Sequence, residues 1–212
     1  MRKIYSYLKW IAWGLMVVSG WYFYNKLPAI VPTHWNLAGE ADGFGSKTTH
    51  LILMPVIVLG MMIMLMVLPK LDPKKEKYEK FAEVYELFQL LLAAFMSYTY
   101  LVTIWAGLNP KVDVGFAILA GIGLLFVAIG NYMGKIRQNY FVGIKTPWTL
   151  DNEEVWNKTH RLGGWCFVLA GLMFLVQAFL AWKTWWVLAI ALTVILAVPI
   201  GYSYWLHKQL KK

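Results

Sequence analysis

The stretch VGFAILAGIGLLFVAIG, residues 114–130, holds no charged side chain over 17 positions and decides the class of fold. An α-helix needs about 20 predominantly apolar residues to cross the roughly 30 Å of hydrocarbon in a bilayer. Five further runs have similar length and composition, and Lys9 is the only charge inside any of them. These runs are residues 4–24, 51–68, 87–108, 162–182 and 184–206.

Each run is predicted to be a transmembrane helix, because backbone amides in lipid must find their hydrogen bonds within the segment. Period-two alternation is missing, which excludes a closed barrel. The sequence therefore predicts an all-α polytopic membrane protein with six transmembrane helices. We expect one integrated membrane domain, with two helices in residues 1–68 and four in residues 69–212. Glycines should let the helices approach closely, at positions 107, 115, 121, 123, 130, 163, 164, 171 and 201.

The basic residues divide unequally between alternate loops, and this division predicts the orientation. Sixteen of the 20 lie on one side of the runs: Arg2, Lys3, Lys9, Lys70, Lys74, Lys75, Lys77, Lys80, Lys135, Arg137, Lys145, Lys158, Arg161, Lys208, Lys211 and Lys212. The other side has Lys26, Lys47, Lys111 and Lys183. Because the basic side stays in the cytoplasm, both termini and loops 69–86 and 131–161 are predicted to face inward. Loops 25–50 and 109–113 face outward, and the net charge of +9 mostly records this orientation.

The outer loop, residues 25–50, is too specific in composition to be a simple tether. Pro28 and Pro32 favour an extended chain, so residues 31–35 could form a short strand, with turns at the glycines that follow. The loop also holds His34, Glu40, Asp42 and His50. These four could bind a divalent metal, but their spacing matches no zinc signature. The favoured interpretation is a hydrogen-bonded turn, in which Asp42 and His34 bind the backbone amides of the loop.

The two inner loops differ in what they predict. In loop 69–86, Pro69 is expected to end the second helix, and mixed charges at helical spacing indicate a solvated extension of the third. A partner-docking face there is the less favoured alternative. In loop 131–161, Asp151 and Glu154 suggest a capped helix that leads into the fifth run. Trp156 is expected at the headgroup level, or else within a specific docking surface. His160 has no obvious partner.

Both long loops resemble those of a known bacterial family. The outer residues resemble the uncharacterised N-terminal segment of many SdpI-like membrane proteins: Leu27, Pro28, Ile30, Pro32, His34, Trp35, Gly39, Asp42, Gly43, Gly45 and Lys47. The inner residues are similar to the hallmark of the SdpI family: Gly130, Asn131, Asn139, Gly143, Thr146, Pro147, Trp148, Thr149, Leu150, Glu154, Trp156, His160 and Arg161. With the helix count, the two patterns cover essentially the whole chain.

The resemblance implies a multi-pass protein of the bacterial cell membrane that protects its producer against a secreted, membrane-active toxic peptide. It also implies signalling, in which the toxin-bound protein holds a small winged-helix repressor at the membrane. Its expected partners are therefore the bilayer, a toxic peptide outside and a repressor inside. The expected outer binding residues are Pro32, His34, Trp35, Gly39, Asp42 and Lys47. The expected inner binding residues are Asn131, Asn139, Gly143, Thr146, Pro147, Trp148, Trp156 and Arg161, and neither a metal nor a cofactor is expected.

A transporter of small solutes or peptides is the alternative function. Ion-coupled transporters usually keep an ionisable side chain at membrane depth, and no run has one at its middle. An enzyme is not expected, because no nucleophile motif, zinc-protease motif or pair of intramembrane acids occurs. The sequence thus favours a protein that acts by binding.

Overall fold

A computed structural model describes residues 1–36, 38–180 and 185–211. Six long helices form the bundle: α1 (Arg2–Phe23), α2 (Lys47–Leu71), α3 (Ala82–Leu108), α4 (Val114–Met133), α6 (Glu153–Phe179) and α7 (Trp185–Leu210). A short helix, α5 (Pro147–Asp151), precedes α6, and a 3-10 helix, Lys75–Phe81, precedes α3. Strands β1 (Ile30–Trp35) and β2 (Ala41–Ser46) pair as an antiparallel hairpin between α1 and α2.

The prediction of an all-α polytopic membrane protein is confirmed. Among the described residues, five helical segments are long and apolar enough to cross a bilayer, namely Lys47–Leu71, Lys75–Leu108, Val114–Met133, Glu153–Phe179 and Trp185–Leu210. Helix α1 is not among them, so the count of six spans, like the division at residue 68, stays a prediction. The predicted ends of two runs at Trp182 and Thr184, together with Lys183, lie outside the described residues.

Helix α1 nevertheless runs beside α3 for its whole length and in the same direction. Lys9 Nζ donates to Glu86 Oε2 at 2.7 Å and to Gln89 Oε1 at 2.6 Å, and its side chain is 1% exposed. One turn further on, Ser97 Oγ donates to the carbonyl of Ala12 at 3.1 Å. The single charge inside a predicted run is therefore neutralised by a partner on α3. Glu86 lies in a helical extension of the third run, as predicted, but the prediction that it is solvated is wrong, because it faces this lysine.

Helices α4 and α6 contact each other through backbone rather than through large side chains. A Cβ added to Gly130 would lie 2.6 Å from the carbonyl oxygen of Gly164, and one added to Gly171 would lie 2.6 Å from that of Gly123. These close approaches confirm the prediction that small residues line a helix contact. At Gly201 the prediction is wrong, since an added Cβ would meet nothing within 4 Å.

The connections place all long loops at two opposite ends of the bundle. At the end that we call the inner end, residues 72–81 contact residues 138–140, and Thr146 contacts Ser203 of α7. At the outer end, the hairpin packs on α3 and α4 through Val31 and Trp35. Pro69 does not end α2, which continues to Leu71. The loop predicted at residues 131–161 is also shorter than expected, because α4 reaches Met133 and α6 starts at Glu153.

Candidate functional site

The outer hairpin carries an exposed pair formed by His34 and Asp42. His34 Nδ1 and Asp42 Oδ1 are 2.5 Å apart, and the two side chains are 72% and 45% exposed. The pairing register slips between Pro32 and His34 and again between His34 and Trp35. These irregularities leave His34 opposite Gly43, where a larger residue would meet the His34 Cβ. The pair therefore joins the two strands and faces solvent.

A different side chain organises the hairpin turn. Asn36 Oδ1 accepts from the amides of Ala38 at 2.9 Å and Glu40 at 3.0 Å. The prediction that His34 and Asp42 bind the loop amides is wrong in this respect, because they bind each other. Asn36 has the short side-chain acceptor that favours such turns, and this signal was available in the sequence.

The remaining outer candidates fasten the hairpin to the helices. Lys47 Nζ donates to the carbonyls of Tyr24 at 2.8 Å and Leu27 at 3.0 Å, where α1 has just ended. Trp35 packs on the apolar cluster between α3 and α4. Gly39 has φ of +79° and touches Gly115 at the start of α4. Pro32 is half-buried within β1.

The four candidate metal ligands do not form one cluster. His50 lies in α2 rather than in the loop, where its Nε2 is 2.7 Å from Thr103 Oγ1 and its ring stacks on Tyr100. Across the described ranges, no three His, Cys, Asp or Glu side chains come close enough to hold a metal ion.

The inner end contains a buried network that we call the inner polar cluster, defined by Asp72, Tyr78, Gln138 and Asn139. Asp72 is 2% exposed, and its Oδ2 accepts from the Tyr78 hydroxyl at 3.0 Å and from the Tyr140 amide at 2.9 Å. The Tyr78 hydroxyl also lies 3.2 Å from Asn139 Oδ1. Two loops that are far apart in sequence therefore share one set of hydrogen bonds.

Asn139 shapes the loop around itself. It is fully buried, its Oδ1 accepts from the amides of Phe141 and Val142, and its Nδ2 donates to the carbonyls of Arg137 and Val142. Gln138 connects the same loop to α5, because its Nε2 donates to the carbonyls of Thr149 and Leu150. Buried side chains with this many backbone partners fix a loop in one conformation.

Trp156 and His160 hold the same loop from α6. Trp156 is 0% exposed and its Nε1 donates to the carbonyl of Ile136 at 2.9 Å, so its predicted place among the headgroups is wrong. His160 stacks on it, with ring centroids 4.0 Å apart. His160 Nε2 accepts from the Ile144 amide, and Nδ1 lies 2.9 Å from the Trp156 carbonyl, to which it must donate. The expectation that His160 lacks a partner is therefore wrong, and the two bonds select its neutral Nδ1–H tautomer.

Gly143 makes this approach of loop and helix possible. Its φ is +114°, a conformation that residues with a side chain rarely adopt. An added Cβ would also overlap with His160 Nε2. Two independent constraints thus require glycine at this inner candidate position.

Helix α5 begins with a capping box and is fastened to α7. Thr146 Oγ1 accepts from the Thr149 amide at 3.2 Å, and Thr149 Oγ1 accepts from the Thr146 amide at 2.9 Å. Pro147 occupies the first turn, where its missing N–H removes no bond. Thr146 Oγ1 is 3.0 Å from Ser203 Oγ, and the Trp148 ring lies 5.0 Å from that of Tyr204.

The predicted cap of α6 is wrong by one residue. Asn152, not Asp151, is the N-cap, and its Oδ1 accepts from the amides of Glu154 and Val155. Asp151 instead contacts the end of α7, with its Oδ2 3.6 Å from His207 Nε2 and 3.8 Å from Lys211 Nζ.

The inner candidates therefore separate into two groups. Asn139, Gly143, Thr146 and Trp156 come together in and around the inner polar cluster, and Trp148 joins α5 to α7. Asn131, Pro147 and Arg161 are exposed, and Asn131 donates only along its own helix, to the carbonyl of Val127. The residues that sequence reasoning missed as site residues are Asp72, Tyr78, Gln138, Thr149, His160 and Ser203.

The solvent side of this fixed loop is basic. Six exposed cations surround it: Lys75, Lys80, Lys135, Arg137, Lys145 and Arg161. Lys77 ties the two inner loops together through Glu153 at 2.7 Å. The predicted solvated extension before α3 is helical as expected, but Tyr78, Phe81 and Tyr85 on it are buried. Both ring nitrogens of His160 are engaged in hydrogen bonds, so this side chain is not a free base.

Long apolar helices joined by two ordered loops define a multi-pass helical protein of the cell membrane. A family model described as the SdpI/YfhL protein family matches residues 135–203, and one described as a domain of unknown function, DUF1648, matches residues 11–59. Over 189 residues, the chain is 27% identical to the immunity protein SdpI of Bacillus subtilis (strain 168). This aligned region covers 88% of each of the two chains. No solved structure matches the chain. The second half of the chain is therefore similar to the SdpI/YfhL family, and most of its length is similar to an SdpI immunity protein.

Proposed function

We propose that this protein protects the cell that makes it by binding a secreted, membrane-active toxic peptide. The observation that carries the proposal is the similarity to an immunity protein along 88% of the chain, which takes in both ordered loops. A peptide that arrives from outside meets the outer hairpin first, if the basic residues set the orientation. At that end, the peptide could contact a polar pair, His34 and Asp42, and one aromatic side chain, the half-buried Trp35.

We propose that the inner end receives a small winged-helix repressor when the peptide is bound. The supporting feature is the set of six exposed cations around a loop that buried hydrogen bonds hold in place. A basic surface attracts the acidic face of a partner and excludes basic ones. A fixed loop can also present that surface with little loss of conformational entropy on binding.

The immunity proposal is tested by toxin challenge. A Bacillus subtilis strain without its own SdpI receives this chain and is exposed to the purified sporulation-delaying peptide. The native chain should restore survival, whereas Asp42→Asn and Trp148→Ala should abolish it while immunoblots show unchanged amounts in the membrane. Death of cells that carry normal amounts of the native chain would reject immunity against this peptide.

Two control variants separate binding from folding in that assay. Glu40→Gln changes an exposed acid of the same hairpin but keeps the oxygen that accepts from Asn36. Trp165→Ala removes a tryptophan of α6 that is 71% exposed and lies away from α5. Both should protect as well as the native chain. If all four variants survive equally, the two motifs only build the fold.

The repressor proposal needs a separate measurement. A fluorescent fusion of a small winged-helix repressor should move from the cytoplasm to the membrane when toxin is added. Charge reversal at Lys75 and Lys80 should lower that recruitment without lowering survival. Unchanged recruitment would exclude this surface as the docking site and leave the immunity proposal intact.

A further inference from the structure

A cleft of about 470 Å³ lies within the inner half of the bundle. Its walls are apolar and come from α3, α4, α6 and α7, namely Phe88, Leu92, Ile129, Phe167, Ile195 and Ile200. One polar wall residue, Gln89, already uses its Oε1 to accept from Lys9 at 2.6 Å. Tyr85, a second one, donates its hydroxyl to the carbonyl of Leu65. The cleft is within the range of volumes that bind small ligands, and its lining suits an apolar one.

The cleft opens sideways toward lipid. Leu196 and Ile200 of α7 stand at its edge and are 56% and 44% exposed, while Leu65 of α2 lies opposite. Over the described residues, α2 and α7 make no extended contact with each other. A ligand would therefore enter through the gap between these two helices, from the hydrocarbon and not from water.

The depth of the cleft matches one leaflet. Thr146 marks its shallow end and is bonded to Ser203 of α7, whereas Ile195 lies at its deep end. At a rise of 1.5 Å per residue, Ser203 and Ile195 of α7 are separated along the helix axis by about 12 Å. Half of the hydrocarbon thickness is about 15 Å. The cleft thus extends through most of one half of the membrane, which is the reach of an acyl chain.

A cation stands at the shallow end of the cleft. Lys145 lines the cleft, is exposed, and adjoins the buried Thr146 at the level where α7 approaches its end. Basic pockets between transmembrane helices bind anionic headgroups on the cytoplasmic side. We propose that the cleft binds one anionic phospholipid from the leaflet at the inner end, with an acyl chain between α2 and α7 and the phosphate on Lys145.

The site would connect the lipid to the inner loop. Val142, Gly143 and Ile144 form part of the cleft lining, and the same segment is held by Asn139 and by His160. An acyl chain in the cleft would fill space against this segment and oppose its collapse inward. The proposal does not depend on the immunity function, since it rests on the cleft and Lys145 alone.

Photolabelling in lipid nanodiscs tests the site. The full-length protein is placed in nanodiscs of phosphatidylcholine that contain a small fraction of phosphatidylglycerol with a diazirine on its acyl chain. Mass spectrometry after illumination should find adducts on residues 195–200 and 142–146. Leu196→Trp should fill the opening and remove those adducts. Leu192→Trp, at a position of α7 that is 42% exposed and does not line the cleft, should not.

The charge is tested by a second pair of variants. Lys145→Gln should lower labelling by phosphatidylglycerol about fivefold, the weight of one lysine near an anionic surface. Lys135→Gln, an exposed lysine of the same loop outside the cleft, should leave it unchanged. Labelling spread evenly over the exposed face of α7, or equal labelling by a diazirine phosphatidylcholine, would overturn the proposal. An apolar photoactivatable peptide is the alternative probe. If it labels the cleft and excess phosphatidylglycerol does not displace it, the cleft is a peptide site and the lipid proposal is wrong.

Discussion

Replacement of Lys9 by methionine removes a buried cation from α1 and leaves its partner on α3 without a counter-charge. Lys9 is 1% exposed and Glu86 is 17% exposed, with 2.7 Å between Nζ and Oε2. Breaking a buried pair by removing one member costs about 3–5 kcal/mol. Because Glu86 keeps some access to solvent, the lower end of that range applies. The expected destabilisation of about 3 kcal/mol corresponds to a melting temperature lower by about 6–12 °C.

The assay is thermal unfolding in detergent, followed by the fluorescence of the native tryptophans. The double variant Lys9→Met with Glu86→Gln should recover most of the lost stability, since a neutral pair carries no unmatched buried charge. Lys3→Met is the control, because Lys3 is exposed on the same helix. Equal melting temperatures for Lys9→Met and Lys3→Met would refute the placement of α1 against α3.

Three further predictions concern the inner loop and the orientation. Gly143→Ala should destabilise the protein by about 1–3 kcal/mol through its backbone conformation alone. Gly134→Ala should be neutral, because its φ is ordinary and an added Cβ would make only normal van der Waals contact with Arg161. Equal melting temperatures for the two variants would contradict this. Ser203→Ala should lower the melting temperature by about 2–4 °C, as expected for the lost hydrogen bond to Thr146, since the other bond of Ser203 is to the Ile200 carbonyl within α7 itself. An unchanged value would show that the contact with Thr146 is dispensable. A cysteine at His34 should react with an impermeant maleimide on whole cells and one at Lys75 should not, and the reverse pattern would invert the predicted topology.

The helices were predictable because each is encoded locally. A long apolar run specifies a membrane helix without reference to any other part of the chain, and the residues around Val31 specified a strand through their prolines and glycines. Glycines similarly predicted that some helices would approach closely, and they do so between α4 and α6, although the sequence did not indicate which helices would meet. The predicted helix ends were less accurate, since α2 continues two residues past Pro69 and Asn152, not Asp151, caps α6.

The inner polar cluster was not predictable, because its hydrogen bonds join residues far apart in sequence. Tyr78 and Asn139 are separated by 61 positions, and Asp72 and Tyr140 by 68. A single sequence shows that such residues are polar but not which of them meet. Trp156 illustrates the same limit, since an apolar stripe on a helix does not distinguish burial in protein from contact with lipid headgroups.

The last turns of α7 touch α5 through a hydroxyl pair, two aromatic rings and the carboxylate of Asp151. These turns of α7 therefore support α5 and the loop that precedes it. Deletion of residues from 203 onward would remove that support even though every other helix would remain. A purification tag or fluorescent protein fused directly after α7 would lie next to this contact, so reporter fusions are better placed elsewhere.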